Sequence, residues 1–75
     1  MVFEKVCQIL SDQFGVSTDS LNMDTAFVED LGADSLDLYQ ILLKVEEEFE
    51  MKISPEAVDE IVTVGQAMDL IKKMN

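Results

Sequence analysis

The most strongly patterned part of the chain is the run SLDLYQILLKVEEEFE, residues 35–50. Several of its apolar side chains recur at helical spacing on one face and predict a stripe wide enough to pack on a core. That stripe consists of Leu38, Ile41, Leu42, Val45 and Phe49. A second, smaller apolar stripe, Leu36, Tyr39 and Leu43, lies on the opposite side among acids. It indicates either a docking surface or ordinary exposed side chains, and the pattern alone leaves both open.

Helical spacing also recurs on either side of this run. Residues 2–14 carry apolar side chains on one face and predict a first helix that ends at Gly15. Between it and the run lies a long connection, residues 16–34, with scattered apolar side chains. A structureless loop of this length is unusual in a small domain, so we expect it to fold back on the core, with room for a short helical turn.

Two helix starts follow the run. Ser54-Pro55-Glu56 combines a capping serine, an early proline and an acid, and predicts a short helix at 55–61. Thr63 and Gln66 fit a capping box that opens a last helix. No segment alternates with the period of a strand, so no sheet is expected. The predicted fold class is all-α: a small helical bundle of three main helices plus one short helix, with a long loop between the first and second.

The composition is that of one acidic domain. Sixteen acids oppose five lysines in 75 residues, so the net charge is −11, and 48% of the residues are hydrophobic. This apolar content separates the chain from disordered acidic tails, and the length predicts a single domain over residues 1–75. The charge argues against nucleic acid and anionic membrane surfaces as partners. Repulsion between copies favours a monomer.

Several residue types needed for catalysis or cross-linking are missing. The chain has no histidine, so Ser-His-Asp and Cys-His arrangements are excluded, and we expect no enzyme activity. Its single cysteine, Cys7, cannot form an intramolecular disulfide, is expected to fill space in the core, and suits a reducing compartment. The longest apolar runs are far too short to span a bilayer, so no stable membrane insertion is expected. We therefore predict a cytoplasmic protein, or the mature form of an organellar one.

Ser35 is the candidate for chemistry. It follows Gly32, which permits a tight turn, and Asp34, which can cap the helix, so its hydroxyl is expected to be accessible at a helix N-terminus that suits a phosphate. On composition alone, an ordinary capping residue is the favoured explanation of Ser35, because serine is common at helix starts. It lacks the G-x-S-x-G context of a nucleophile, so modification by another enzyme is the more plausible chemistry.

The surroundings of Ser35 are wholly acidic. No basic residue occurs between Lys5 and Lys44, whereas seven acids do. We expect a partner with a basic patch to be steered to this segment. No specific metal site is predicted, because the spacing of an EF-hand loop is absent. Weak binding of a divalent cation is possible at Asp30, Asp34 and Asp37.

The run FVEDLGADSLD, residues 27–37, resembles the prosthetic-group attachment motif of acyl carrier proteins. The segments Glu46–Phe49 and Ile61–Val64 are also similar to that family, and the resemblance extends over essentially the whole chain. It implies that Ser35 carries 4′-phosphopantetheine, derived from coenzyme A and attached by a separate phosphopantetheinyl transferase, the holo-carrier synthase. The thiol of that arm would hold acyl chains as thioesters. The protein would shuttle them among fatty acid synthesis enzymes and acyltransferases that have basic patches.

The resemblance also assigns two groups of residues. Those that would bind partners are Asp34, Leu36, Asp37, Leu43, Glu46 and Glu47, with Tyr39 enlarging the apolar stripe. Those that would line a pocket for the acyl chain are Leu42, Val45, Ile53, Ile61 and Ala67. The chain departs from the family pattern at Leu38, Tyr39, Gln40 and Ser54-Pro55, which leaves the preferred partners open.

Two alternatives remain at this stage. One is a specialised carrier of the polyketide or D-alanyl type, which would use the same attachment chemistry. The other belongs to a different class: an acidic helical adaptor without a prosthetic group, in which Ser35 only caps a helix.

Overall fold

The computed structural model describes residues 2–74, which form four α-helices joined by loops. These are α1 (Val2–Phe14), α2 (Ser35–Phe49), α3 (Pro55–Val58) and α4 (Val64–Met74), and a 3₁₀ turn at Thr18–Ser20 follows α1. Residues 2–74 contain no β-strand, and the antiparallel bridge between Ala26 and Thr63 is isolated. None of the helices in this range has the length and apolar character needed to cross a membrane. The all-α prediction is confirmed.

Local signals set the ends of the long helices. Gly15 ends α1 with a φ of +69°, and its N–H donates to the Ser11 carbonyl at 2.8 Å. A residue without a Cβ adopts this left-handed backbone at little cost. Helix α2 ends one residue before the predicted boundary, because Glu50 turns into the left-handed region with a φ of +51°. At the start of α4, the N–H of Gln66 donates to Thr63 Oγ1 at 3.3 Å, and the N–H of Thr63 donates to Gln66 Oε1 at 3.1 Å. The predicted capping box is therefore present.

Helix α3 is shorter than the sequence indicated. The prediction of a helix at 55–61 was wrong beyond Val58, because the chain tightens there into three-residue turns. The N–H of Glu60 donates to the Ala57 carbonyl at 3.2 Å, and that of Ile61 donates to the Val58 carbonyl at 3.1 Å. Ser54 precedes α3 as expected but makes no side-chain cap. Its hydroxyl donates instead to the Glu56 carboxylate, and this hydrogen bond is the main cause of a lowered pKa of Glu56.

The core lies between α1, α2 and α4. Each of these helices contributes buried side chains: Val6, Cys7 and Leu10 from α1, Ile41, Leu42 and Val45 from α2, and Val64, Met68 and Ile71 from α4. The long connection adds Leu21, Phe27 and Ala33, and Ile53 comes from the loop before α3. The prediction that the connection folds back on the core is thus confirmed, as is the packing role of Cys7.

Backbone hydrogen bonds hold the long connection against the start of α4. The N–H of Phe27 donates to the Val62 carbonyl at 3.0 Å, and that of Val64 donates to the Thr25 carbonyl at 2.9 Å. The N–H of Gly65 donates to the Met23 carbonyl at 2.9 Å. A Cβ at position 65 would lie only 3.0 Å from that carbonyl oxygen, so glycine permits this close approach. The loop that leads to Ser35 is therefore anchored at its base.

The burial of Cys7 predicts an unreactive thiol. Burial raises the pKa of Cys7, and only the thiolate reacts readily with alkylating reagents. We expect iodoacetamide at mildly alkaline pH to leave the folded protein unmodified and to label it once in urea, as read by intact mass. Rapid labelling of the native protein would contradict the packing that places Cys7 in the core.

Candidate functional site

Ser35 lies at the junction between the anchored loop and α2. Just before it, the chain turns at Gly32, whose φ is +69° and whose N–H donates to the Val28 carbonyl at 3.1 Å. The N–H of Ala33 then donates to the carbonyl of buried Phe27 at 3.0 Å. With Ala33 also buried, the loop is fixed on both sides of the turn. Ser35 follows as the first, exposed residue of α2.

Asp34, and not Ser35, caps this helix. Asp34 Oδ1 accepts from the N–H of Asp37 at 2.9 Å, and Asp37 Oδ2 accepts from the N–H of Asp34 at 3.3 Å. This reciprocal pair is a capping box. None of the side-chain hydrogen bonds within residues 2–74 uses the Ser35 hydroxyl. The prediction for Asp34 is confirmed, and the hypothesis that Ser35 serves as the cap is wrong.

The start of α2 fits a phosphate attached to Ser35. The first N–H groups of a helix have no intrahelical acceptor, and the helix dipole gives this end a positive potential. Asp34 takes the N–H of Asp37, while those of Ser35 and Leu36 have no acceptor among the hydrogen bonds of residues 2–74. Ser35 itself is exposed and directly precedes Leu36 in the first turn of the helix. A phosphodiester at the Ser35 oxygen therefore meets free donors and solvent rather than a packed surface.

A groove opens beside Ser35. It has a volume of about 320 Å³ and runs between α2 and the α3 segment. Its lining residues are Ser35, Leu38, Tyr39 and Leu42 on the α2 side and Pro55, Glu56, Val58 and Asp59 on the other. The groove thus combines apolar side chains with a phenol and two carboxylates. It can take a group that has both polar and apolar parts.

An apolar cavity of about 50 Å³ lies deeper between the helices. The five residues assigned to an acyl pocket, Leu42, Val45, Ile53, Ile61 and Ala67, all line it. The others are Phe27, Leu38, Ile41, Val58, Leu70 and Ile71, and every lining residue is apolar. Leu38, Leu42 and Val58 line the groove as well. The groove beside Ser35 and the cavity therefore share part of their walls.

The second stripe of α2 is exposed. Leu36 is 64% exposed, Tyr39 52% and Leu43 45%. Asp34 and Glu47, two of the acids assigned to partner binding, are exposed around this stripe. An exposed apolar strip with an acidic border is the surface chemistry that a basic partner with an apolar centre would match.

Two other acids assigned to partner binding have partners within the chain. Asp37, which is half-buried, accepts from Asp34 in the capping box and from Gln13 Nε2 at 3.3 Å. Glu46 Oε2 accepts from the N–H of Ile53 at 2.7 Å and so fastens the loop after α2. Gln13 Nε2 also donates to Gln40 Oε1 at 2.7 Å, which joins α1 to the beginning of α2. The sequence had not indicated Gln13, because no local pattern signals a contact between residues so far apart.

The three acids considered for weak cation binding accept hydrogen bonds from backbone N–H groups. Asp30 Oδ2 accepts from the N–H of Ala26 at 2.7 Å, and Asp34 and Asp37 are held in the capping box. Within residues 2–74, no group of three or more acidic, cysteine or histidine side chains is placed to hold a metal ion. The carboxylates of Asp30, Asp34 and Asp37 thus stabilise the loop and the start of α2 by accepting backbone hydrogen bonds.

Comparison with known proteins gives a consistent result. The family model described as the phosphopantetheine attachment site matches residues 4–71. An acyl carrier protein of Clostridium acetobutylicum is 40% identical over 72 residues, which cover 96% of this chain and 94% of that protein. The solved structure of an acyl carrier protein from Enterococcus faecalis matches with a TM-score of 0.84 at 35% identity, over 99% of this chain and 94% of the other.

Proposed function

Since the chain belongs to the acyl carrier proteins of the phosphopantetheine attachment-site family, we propose that Ser35 is the residue to which its 4′-phosphopantetheine is attached. Members of this family are carriers and not enzymes, in agreement with the absence of histidine from the chain. When bound, the prosthetic group supplies a terminal thiol that holds acyl chains as thioesters. Ser35 supplies the oxygen of the phosphodiester.

One observation carries this proposal. Ser35 is the exposed first residue of α2, and it opens onto a groove that adjoins an apolar cavity. Asp34 and Asp37 hold the helix start, while the N–H groups of Ser35 and Leu36 have no acceptor among the hydrogen bonds of residues 2–74 and could bind a phosphate on Ser35. The cavity offers the acyl chain a place out of water, at a gain of about 0.8 kcal/mol for each buried methylene. The cavity is small, so the surrounding side chains must move apart to admit a longer chain.

We further propose that the cargo consists of intermediates of fatty acid synthesis. The partners are then the phosphopantetheinyl transferase and the synthesis enzymes and acyltransferases, each with a basic patch toward α2. The exposed stripe and its acids support this choice, as does a net charge of −11. The same charge supports a monomer, and a single cysteine in reduced form suits the cytoplasm.

Uptake of the prosthetic group separates a carrier from an acidic adaptor. The apo-protein is incubated with coenzyme A, Mg²⁺ and a broad-specificity phosphopantetheinyl transferase, and its intact mass is measured. We expect a gain of one phosphopantetheine group per chain. A folded sample that gains no mass would contradict the proposal and favour the adaptor.

A second experiment separates fatty acid synthesis from a specialised pathway. The loaded protein is offered to a malonyl-transferring enzyme of fatty acid synthesis and, in parallel, to an enzyme that loads D-alanine. The proposal expects efficient malonyl transfer and little D-alanylation. The reverse order would keep Ser35 as the attachment residue but would contradict the assignment to fatty acid synthesis.

Docking on α2 is expected to depend on Glu47. Glu47 is exposed beside the apolar stripe, so Glu47→Lys should weaken binding to the transferase roughly fivefold, and added salt should reduce the difference. Glu4 is an exposed acid on α1, away from this stripe. Glu4→Lys changes the net charge by the same amount and serves as the control. Titration calorimetry at two salt concentrations measures both variants. Equal affinities for the two variants would show that net charge, and not the rim of α2, governs docking.

A further inference from the structure

The groove beside Ser35 has a single aromatic residue in its wall. Tyr39 lies one helical turn after Ser35 on α2 and lines the groove together with Glu56 and Asp59. Its side chain is 52% exposed, so about half of it is covered by the protein. A half-exposed ring of this kind can change rotamer without disturbing a packed core.

The groove beside Ser35 and the cavity next to it have different linings. The groove carries the phenol of Tyr39 and two carboxylates as well as apolar side chains, whereas the cavity is lined by apolar side chains throughout. Leu38, Leu42 and Val58 line both the groove and the cavity, so any passage between the two would lie at these residues. Tyr39 adjoins Leu38 in the chain and shares the groove with all three. A chain that is attached at Ser35 and ends in the cavity would lie in the groove that Tyr39 helps to line.

We propose that Tyr39 covers the passage from the groove to the cavity and thereby determines how long an acyl chain stays inside the core. This inference rests on the proposed attachment at Ser35. The cavity, at about 50 Å³, is too small to surround a whole acyl chain, so the methylenes nearest the thioester remain in or near the groove. The ring of Tyr39 is the one aromatic surface that lines this groove, and it can cover these methylenes from water.

The chain carries its own reporter for this contact. Tyr39 is its one tyrosine, and there is no tryptophan, so the intrinsic emission above 300 nm comes from the ring in question. If an acyl chain lies against that ring, acrylamide should quench the emission less in the octanoyl form than in the form that carries the prosthetic group alone.

The test compares the octanoyl forms of the wild type, Tyr39→Ala, Tyr39→Phe and Val62→Ala, after intact mass has shown that each is fully loaded. Hydroxylamine then attacks the thioester carbonyl, the hydroxamate forms, and the arm's thiol leaves with a proton. Tyr39→Ala should form octanoyl hydroxamate roughly fourfold faster than the wild type, the factor for one methylene returned to water. Tyr39→Phe keeps the ring and should match the wild type. Val62→Ala removes an exposed apolar side chain outside the groove and should also match it.

The possible failures can be told apart. A sample that takes up no prosthetic group contradicts the attachment at Ser35, and this inference falls with it. A loaded Tyr39→Ala protein that forms octanoyl hydroxamate at the wild-type rate overturns the role of Tyr39 alone, as does quenching of the wild type that octanoylation leaves unchanged. A faster release in Tyr39→Phe would assign the effect to the hydroxyl and would likewise overturn a role for the ring.

Discussion

Ser35→Ala is expected to abolish uptake of phosphopantetheine completely while the helical fold is retained. The transfer needs a hydroxyl oxygen at the start of α2, and alanine has none. The structure gives Ser35 no part in holding the helix, because Asp34 and Asp37 form the cap and Ser35 is exposed. Exposed substitutions of this kind change stability by no more than about 0.5 kcal/mol.

Intact mass and circular dichroism measure the two parts of this prediction. The variant should keep the mass of the apo-protein after prolonged incubation, and its thermal transition should match that of the wild type. Ser20→Ala removes another exposed serine from the long connection and should be modified normally. If Ser35→Ala still gained one phosphopantetheine, a different residue would carry the group and the site assignment would be wrong.

The second large effect concerns stability. Leu10→Ala is expected to lower the free energy of unfolding by about 3 kcal/mol, because it removes a fully buried side chain from the face of α1 that packs into the core. Small domains are stable by only about 5–15 kcal/mol, so such a loss is a large share of the total. For a domain of this size, it corresponds to a fall in Tm of roughly 12–24 °C.

Thermal and urea unfolding, followed by circular dichroism, test this value. Leu36→Ala deletes the same side-chain atoms from an exposed position on α2 and should change stability by less than about 0.5 kcal/mol. A Leu10→Ala protein as stable as Leu36→Ala would contradict the core described here.

The parts of the fold that depend on local signals could be predicted from the sequence. Gly15 ends α1, Asp34 caps α2, and the pair Thr63 and Gln66 opens α4, each through contacts within a few residues. The end of α3 could not be predicted in this way. Ile61 lies at helical spacing from α3, but its side chain lines the cavity against other helices, and tighter turns bring it there.

The candidate site likewise combines features that local sequence signals predict with contacts that only the folded chain makes. The exposure of Ser35 follows from its place after a tight turn and a capping aspartate, which are local features. The bonds from Gln13 to Asp37 and from Ile53 to Glu46 join residues that only the folded chain brings together. The sequence therefore could not show that these two carboxylates also hold the structure. Docking studies that substitute Asp37 or Glu46 need a measurement of stability beside that of affinity.

The position of the added group is the most direct test of the central claim, that Ser35 carries the prosthetic arm. After reaction with coenzyme A and the transferase, cleavage at Glu29 and Glu46 by a glutamate-specific protease yields the fragment of residues 30–46, which contains one serine, Ser35, and no threonine. We predict that the mass of this fragment rises by one phosphopantetheine group and that all other fragments keep their mass. A gain on the fragment of residues 5–29, which holds Ser11, Ser17 and Ser20, would contradict the account, as would an unchanged fragment 30–46 from a folded and fully treated sample.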